Sequence, residues 1–317
     1  MPNKLYLWLS AVLSALAINA QAQGCSDAGF CTMGAMRPNQ NLQRSLKVKL
    51  RSLELTQYRG DTGFGVVVNT TILDASISIG SRNSVQIKLP YNYVQGRLTN
   101  TQGTGDISLA YTRNLIANDR YQLNATLGTK IPTTNANQTF EGKPLPMYYQ
   151  SSLGTHDLIA GFGFNTKNWT FSTGIQKPLD NIKNEFLWKP WNKTADSAIA
   201  ASYPRSNQLR RGTDLMLRAE RNWRYANINF FGGLLGIYRL NEDVFMVKNA
   251  EGKLVEKTEP GTSGLVLTGL VGVGYQFSAR SGLRFLGGYR LLKRKSDKNT
   301  DGLSRLYVLN LTYAYRF

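Results

Sequence analysis

The sequence is dominated by long segments in which apolar and polar residues alternate, the pattern of β-strands with two unlike faces. The clearest segment ends the chain, where every second residue from Tyr307 to Phe317 is apolar or aromatic. About twelve such segments follow residue 45, centred near 46–58, 64–80, 83–97, 104–117, 119–131, 153–166, 168–178, 212–224, 226–240, 262–278, 281–293 and 304–317. Many contain 11–17 residues, whereas globular strands usually have about 5–6 and membrane-crossing strands need about 9–11. Strand length therefore favours a sheet that crosses a membrane.

The links between these segments alternate between short and long. The second, fourth, sixth, eighth and tenth links contain one to three residues, and the longest odd-numbered links are 132–152, 179–211 and 241–261. Transmembrane barrels have tight turns at one end and longer external loops at the other. Because every backbone N–H and C=O in hydrocarbon needs a protein partner, such a sheet must close. Residues 46–317 are therefore predicted to be all-β, as a closed antiparallel transmembrane up-and-down β-barrel of about 12 strands.

The two faces of the predicted strands differ in polarity, as expected for a barrel wall with lipid outside and a polar lumen inside. The outward face is apolar, and aromatic residues lie near strand ends on that side, where they would meet lipid headgroups. They are Trp169, Trp223, Tyr121, Tyr307 and Tyr315.

Three positions disturb the alternation. There is a phase break at Arg51–Ser52, and the pattern drifts from Asn69 to Leu73. Pro90 cannot donate a ladder hydrogen bond, so it fits a closed barrel only if it lies at a bulge. The drift indicates either another bulge or a shifted register.

Residues 1–22 are predicted to be a secretory signal peptide. Lys4 gives a positive start, residues 5–18 are apolar, and Ala20-Gln21-Ala22 offers small residues for cleavage. This apolar run is shorter than the about 20 residues that a mature transmembrane helix needs. The alternative, lipid attachment at Cys25, lacks a good lipobox in the residues before it.

Residues 23–45 are predicted to be a periplasmic N-terminal tail or plug. Export places Cys25 and Cys31 where disulfides persist, and a bridge between them is the favoured interpretation. The alternative is a Cu(I) site that adds the soft sulfur atoms of Met33 and Met36. With one histidine and two cysteines in the chain, no catalytic metal and no cofactor are expected.

The last seven residues, Leu-Thr-Tyr-Ala-Tyr-Arg-Phe, resemble the C-terminal assembly signal of bacterial outer-membrane proteins. That signal has a terminal Phe preceded by aromatic residues at alternate positions, here Phe317, Tyr315 and Tyr313. The resemblance implies a Gram-negative source, insertion by the barrel assembly machinery and a location in the cell outer membrane.

A second segment has Leu89-Pro90-Tyr91 followed by Gly-Thr-Gly-Asp-Ile-Ser-Leu at 103–109. It is similar to the LPY and GxGDIxL pattern of the MetA-pathway phenol-degradation family of outer-membrane transporters. The similarity covers roughly residues 63–117 and implies passage of small, including aromatic, compounds. A structural interpretation also fits, in which Gly103 and Gly105 form a tight turn and Asp106 is a polar inward residue.

His156, the one histidine of the sequence, is the first candidate for a catalytic residue. The twelve-stranded outer-membrane phospholipase uses a His with a Ser two residues later on the same strand face, but this chain has Leu158 there. Asp157 is adjacent in sequence, and neighbours on a strand point to opposite faces. We therefore expect no enzymatic activity and place His156 at a loop rim.

Basic residues are in excess, with a formal charge of +18 that falls to +17 when Lys4 is removed with the signal peptide. They are spread along the chain of an exported barrel, so nucleic acid is not expected as a partner. Lipopolysaccharide phosphates are expected to bind external-loop residues Arg210, Arg211, Lys293, Arg294 and Lys295. A solute is expected to contact inward residues Lys88, Asp106, Lys130, Arg218, Glu220, Arg284 and Arg290. Internal ion pairs are favoured over a selectivity filter for this second set.

These observations favour an outer-membrane channel or transporter for small solutes, with aromatic and anionic compounds as candidates. The alternative is a structural or binding barrel with a packed lumen, whose basic external loops engage lipopolysaccharide or a partner protein. A third alternative is a soluble lipocalin-like carrier. A continuous water path would favour transport, and a core full of ion pairs would favour the scaffold. The sequence leaves the oligomeric state open.

Overall fold

The computed structural model describes Met33, Met36 and residues 48–295, 299–303 and 305–317. The predicted signal peptide, both cysteines and most of the predicted tail lie outside the described residues. In chain order the strands are β1 (Lys49–Asp61), β2 (Val66–Ile79), β3 (Asn83–Gly96), β4 (Asn100–Thr104), β5 (Ile107–Ala117), β6 (Tyr121–Ile131), β7 (Thr139–Phe140), β8 (Lys143–Pro144), β9 (Asp157–Thr166), β10 (Trp169–Pro178), β11 (Asp214–Tyr225), β12 (Ile228–Arg239), β13 (Asp243–Lys248), β14 (Leu254–Glu259), β15 (Gly264–Gln276), β16 (Ser281–Leu292) and β17 (Tyr307–Arg316).

One antiparallel sheet closes on itself and forms the barrel wall. Wall strands that follow one another along the chain are paired, with β6 pairing with β9 and β12 with β15 across long links. β1 closes the ring by pairing with β17 from Ser52↔Arg316 to Asp61↔Tyr307. β4 and β5 both pair with β3 and act as one interrupted strand. The wall therefore has 12 strand positions, and the predicted closed barrel of about 12 strands is confirmed. β7–β8 and β13–β14 are two small hairpins in the long links.

The interruption between β4 and β5 lies opposite Pro90. β3 pairs through Tyr91↔Thr104 on one side of the gap and through Lys88↔Ser108 on the other, so two residues of β3 face three of the partner chain. The backbone N–H of Gly105 donates to the carbonyl of Pro90 at 2.9 Å. The irregularity expected at Pro90 is therefore present. A second one, between Leu50 and Ser52 of β1, matches the phase break in the sequence.

The register of β2 is continuous from 66 to 79, so the drift at 69–73 is neither a bulge nor a shift. Its inward face carries Val66, Val68 and Ile72, which are buried, while Asn69 and Thr71 point outward. The polarity of the two faces is locally reversed because loops pack against the inward side.

The outer surface of the barrel is apolar. Side chains that alternate along the strands are exposed there, including Leu127, Phe162, Leu217, Val271 and Leu291. Aromatic rings cluster near the end with short turns: Trp169 stacks on Phe171 at 5.6 Å between ring centroids. This belt is the surface that meets hydrocarbon, and the aromatic cluster lies where headgroups begin.

We call the two ends of the barrel the turn end and the loop end. At the loop end the links 132–156, 179–213 and 240–263 and the described part of 293–306 fold over and into the barrel, and together they form the loop cap. The cap contains two short 3₁₀-helices (Met147–Tyr149 and Lys189–Trp191) and one six-residue helix, α1 (Ser197–Ser202). No helix among the described residues has the length and apolar character required to cross a bilayer.

The largest apolar core joins the loop cap to the wall. Tyr148, Tyr149, Trp191 and Tyr203 of the cap are buried against inward side chains of the first three strands, such as Val68. The cap is also linked internally: Asn184 Nδ2 donates to the carbonyls of residues 136 and 145. The outer half of the lumen is therefore filled by protein.

Candidate functional site in the barrel lumen

The inward charges predicted to contact a solute form ion pairs on the wall. Lys88 Nζ lies 3.7 Å from Asp74 and Lys130 Nζ lies 3.6 Å from Asp106, with all four side chains buried. Arg218 pairs with Glu220 on its own strand, and Nε donates at 2.8 Å. These pairs span the lumen wall across β2, β3, β6 and β11.

The two remaining predicted lumen residues lie on β16. Arg284 Nη2 is 3.7 Å from Glu54 on β1, and its side chain is about 31% exposed. Arg290 is buried under the cap, and its backbone N–H donates to the carbonyl of Leu306 at 3.4 Å. All seven predicted residues therefore face inward, and Asp74 and Glu54 join them.

Asp106 also anchors the loop cap. Its carboxylate accepts hydrogen bonds from Ser152 Oγ at 2.5 Å and from the backbone N–H of Leu153 at 3.1 Å. Asn92, on β3, donates to the carbonyl of Ser151 at 2.6 Å. Asp106, in the interruption between β4 and β5, and Asn92, on the strand opposite it, thus hold the loop between β6 and β9 inside the lumen.

A buried cluster of charges holds the cap from the other side of the barrel. Arg239, at the end of β12, donates to Asp214 at 2.8 Å, to Asp243 at 2.9 Å and to Asp301 at 2.7 Å. Arg211 donates to Asp157 at 2.6 Å. Wall residues and three loops therefore share one ion-pair network.

Arg294, Asn299 and Thr300 complete this network from the last loop. Arg294 Nη1 donates to Asn299 at 3.0 Å, and Nη2 lies 3.5 Å from Asp214. Thr300 Oγ1 donates to Asp243 at 2.5 Å. The loop between β16 and β17 is therefore tied to β11 and to the hairpin that begins at Asp243.

The shifts of pKa in the cap follow from burial and from this network. Burial and the charge of Asp301 raise the pKa of Asp243, against the effect of Arg239. Burial disfavours the charge of Asp301 too, but Arg239, Arg211 and Arg294 hold its pKa well below the usual range. Burial and the charge of Arg239 lower the pKa of Arg294 to about 10. The network thus stabilises the negative charge of Asp301.

Three buried tyrosines of the cap, Tyr148, Tyr149 and Tyr203, fill the lumen at its loop end. The hydroxyls of Tyr149 and Tyr203 are 3.0 Å apart, and Tyr203 donates to the carbonyl of Phe64 at 3.2 Å. Tyr149 also accepts from the backbone N–H of Leu98 at 3.0 Å. The ring of Tyr148 packs 5.6 Å from that of Tyr203, and burial raises the pKa of all three hydroxyls.

A cavity of about 30 Å³ separates the cap from the wall at this level. It has room for one or two water molecules. Its charged lining consists of Asp106, Lys130, Asp301 and Arg305. It is a polar point inside the otherwise filled outer half of the lumen.

Met33 and Met36, from the predicted tail or plug, are buried on the inner wall. They belong to an apolar cluster with Ala110, Ile159, Met216, Leu235 and Leu270. A Cβ atom on Gly161 would lie 2.6 Å from the Met36 sulfur, so the glycine makes room for it. The two thioethers therefore face apolar side chains at this level of the lumen. Cys25 and Cys31 lie outside the described residues.

At the turn end the lumen opens into a much larger cavity of about 780 Å³. Its wall includes Glu54 and Arg284 together with Gln86, Thr112 and Thr312. The lumen is therefore asymmetric, with a large space at the turn end and a filled loop end.

The structure places the predicted lipopolysaccharide-binding residues in two groups. Lys293 and Lys295 are exposed, and Arg210 is half-exposed beside Glu256 at 3.1 Å. Arg211 and Arg294, however, are buried in the ion-pair network, because they neutralise carboxylates there. These two guanidinium groups are turned away from the external surface, which corrects their predicted orientation.

His156 lies at the rim of the loop end, directly before β9. Its Nδ1 is 2.6 Å from Asp180, and both side chains are about half-exposed. This contact, together with the backbone N–H of His156, lowers the pKa of Asp180. Of the predicted assembly-signal residues, Tyr313 and Tyr315 lie on the outer side of β17 at the turn end. Phe317 directly follows β17, and its ring lies 5.0 Å from that of Tyr315.

The sealed sheet, its apolar outer belt and its polar inner wall together define an outer-membrane β-barrel. Among solved structures, the COG4313 outer membrane channel from Pseudomonas putida F1 is similar to this chain, with 14% identity and a TM-score of 0.60 over 88% of this chain and 99% of that one. This likeness shows the fold.

Two further barrels are less similar. A NanC porin has a TM-score of 0.44 and 8% identity over 85% of this chain and 99% of the porin. Outer membrane phospholipase A from Escherichia coli has a TM-score of 0.40 and 8% identity over 85% of this chain and 94% of that one. No family model and no curated protein matches the sequence, so the resemblance to the MetA-pathway family stays a prediction.

Proposed function

We propose that this protein is a gated outer-membrane channel for small solutes and that the loop cap is its gate. The observation that carries the proposal is the asymmetry of the lumen. A cavity of about 780 Å³ at the turn end is separated from the outside by a cap that is held by an apolar core and by polar and ionic contacts. Polar and ionic contacts can exchange partners, so such a cap can have two arrangements.

The proposed route runs along the charged strip of the wall. It leads from the turn-end cavity past Arg284 and the Arg218–Glu220 pair to the small cavity beside Asp106 and Lys130. Lys88 and Arg290 complete the set that a solute would meet when the cap moves. Asp106 would then exchange its bonds to Ser152 and Leu153 for contacts with water or solute.

Conductance in planar lipid bilayers tests this proposal. We expect brief, small openings from the purified full chain and at least tenfold more frequent openings from the Asp301→Asn variant, which weakens the hold of Arg239 on the cap. Glu256→Gln, which removes an exposed partner of Arg210, is the matched control and should behave as the original protein. Membranes as silent as empty lipid with all three proteins would contradict a channel.

The filled outer lumen favours a second candidate, a structural or binding barrel. A small barrel can be packed by its own side chains, and exposed Lys293 and Lys295 could then hold lipopolysaccharide phosphates. This candidate predicts silent bilayers together with lipopolysaccharide that co-purifies less when both lysines are changed to Gln.

The solute class is proposed from the sequence. The similarity of 89–91 and 103–109 to the MetA-pathway family supports small aromatic compounds. Liposome swelling with aromatic, anionic and neutral solutes of equal size tests the preference. Equal swelling rates for all three would argue against it.

A further inference from the structure

The cavity at the turn end has a strongly basic lining. Five of the residues that line it are arginines, namely Arg51, Arg224, Arg280, Arg284 and Arg316, and Glu54 is the one acidic side chain among the described lining residues. We propose that this cavity binds a small solute through an oxyanion, either a carboxylate or a phosphate group. This inference rests on the proposed function, because the bound anion would be the solute that the channel admits.

Three of the arginines come together where the last strand ends. The backbone N–H of Arg316 donates to the carbonyl of Arg280 at 2.7 Å, and the N–H of Phe317 donates to the carbonyl of Arg51 at 3.1 Å. Neighbouring strands lie about 4.8 Å apart. All three arginines also line the turn-end cavity, so their side chains border the same part of it.

The other two arginines extend the basic lining inward and around the wall. Arg284 lies opposite Thr312 in the register of β16 and β17, and Glu54 lies 3.7 Å from it. Arg224 is on β11, four strand positions from β17 in the sheet order. Counting side chains alone, five guanidinium groups and one carboxylate give the described lining a formal excess of four positive charges.

The shape of the site suits its charge. A concave cavity lined by one sign of charge concentrates the electrostatic field and attracts counter-ions. Guanidinium groups bind carboxylate and phosphate oxygens through two parallel hydrogen bonds. Small-molecule sites usually have volumes of about 300–1,000 Å³, and this cavity lies within that range at about 780 Å³. Neutral hydrogen-bonding groups on the wall, at Ser84, Gln86 and Thr112, can orient the rest of a solute.

Calorimetric titration of the full chain in detergent tests the inference with three probes of one shape. Benzoate is anionic, benzamide neutral and benzylammonium cationic. We expect benzoate to bind at least tenfold more tightly than the other two. Inorganic phosphate should compete with benzoate if an oxyanion is the recognised group, and added salt should weaken binding.

The test variant carries Arg280→Gln and Arg316→Gln together. We expect it to lose at least tenfold in benzoate affinity, and the corresponding double change to Lys should restore part of the loss. The matched control is Arg221→Gln, since Arg221 is at the same end of the barrel but lies outside, 5.5 Å from the rings of Trp169 and Trp223. Its benzoate affinity should be unchanged.

Three results would overturn the inference: equal binding of the three probes, no competition by phosphate, or equal losses in the test and control variants. The mobility shift of folded barrels on unheated gels shows that each variant is folded. Binding is measured without a membrane, so benzoate binding with silent bilayers would refute only the channel. Conductance without benzoate binding would refute only the anion site.

Discussion

Arg239 and Asp301 form a buried ion pair of 2.7 Å that joins the barrel wall to the last external loop. Their side chains are only about 2% and 1% exposed. The same guanidinium group binds Asp214 on the wall and Asp243 in the hairpin. This one side chain therefore couples the position of the cap to the wall.

Asp301→Asn should loosen the cap and lower stability. Arg239 keeps Asp214 and Asp243 as partners, so the expected cost is that of one buried hydrogen bond to a charged group, about 1.5–3 kcal/mol. Thermal unfolding in detergent measures the loss. Glu256→Gln breaks an exposed pair, which is worth about 0–1 kcal/mol, and serves as the control. Equal unfolding temperatures for the two variants would contradict the role of Asp301.

Asp243→Asn should be tolerated better than Asp301→Asn, because the pKa of Asp243 is raised and that of Asp301 is lowered. A raised pKa means that the folded protein takes up the Asp243 proton before the unfolded chain does as the pH falls. The stability that comes from Asp243 therefore increases as the pH falls, is complete below about pH 4, the usual range for Asp, and is lost as the pH rises through the raised pKa. Asp301 acts in the opposite sense: its contribution is present above about pH 4, the usual range for Asp, and is lost below it.

Unfolding temperatures between pH 7 and pH 3 should therefore hold or rise slightly before they fall. The Asp243→Asn variant should lack the slight rise and keep the fall. A steady decrease from neutral pH in the original protein would show that another group controls the acid response.

Alkaline pH should open the cap. Tyr148, Tyr149 and Tyr203 have raised pKa values because they are buried, and tyrosine in an unfolded chain ionises near pH 10. The folded state keeps these protons longer, so stability is complete below about pH 10 and decreases above it. Ultraviolet absorbance titration should show a late-ionising group that Tyr203→Phe removes.

Met33 and Met36 should resist oxidation in the folded protein. Both are essentially inaccessible, at about 1% and 0% exposure, and a thioether must be reached by the oxidant to form the sulfoxide. Met246, which is only half-buried in the external hairpin, should react first. Peptide mass spectrometry after peroxide treatment gives the order, and early oxidation of Met36 would contradict its place on the inner wall.

Phe317→Ala should reduce the amount of folded barrel in the outer membrane without changing its unfolding temperature. Phe317 is about 61% exposed on the outer surface, so its loss removes little packing within the protein. Leu291→Ala, at a similarly exposed position on β16, should leave assembly unchanged. An equal loss from both variants would point to lipid contact rather than to recognition by the assembly machinery.

The barrel wall could be predicted from the sequence because each wall strand separates oil from water. Alternation located all twelve strands, and Pro90 correctly indicated an irregularity. The alternation gave the wrong orientation where an inward side chain meets the packed loop cap, which is neither lipid nor water. Val66, Val68 and Ile72 are apolar yet point inward, because the cap covers them.

The inward fold of the loops could not be predicted from strand periodicity, which ends where the loops begin. One feature of the sequence did indicate that the loops are packed, because they contain more aromatic residues than a solvated loop requires. These residues are Tyr148, Tyr149, Trp188, Trp191 and Tyr203. The incorrect prediction that Arg211 and Arg294 face outward has the same cause, because both residues lie in loops. Sequence placed them in external loops, but their orientation depends on Asp157 and Asp214, which only the folded chain brings near.

The pairing of β1 with β17 has a consequence for biogenesis. Tyr58 and Asn310 are ladder neighbours although about 250 positions separate them. A nascent or truncated polypeptide that lacks the final strand would have two unpaired sheet edges, and each could pair with a strand of another molecule. Any delay in the pairing of β1 with β17 therefore prolongs the period in which the protein is vulnerable to aggregation.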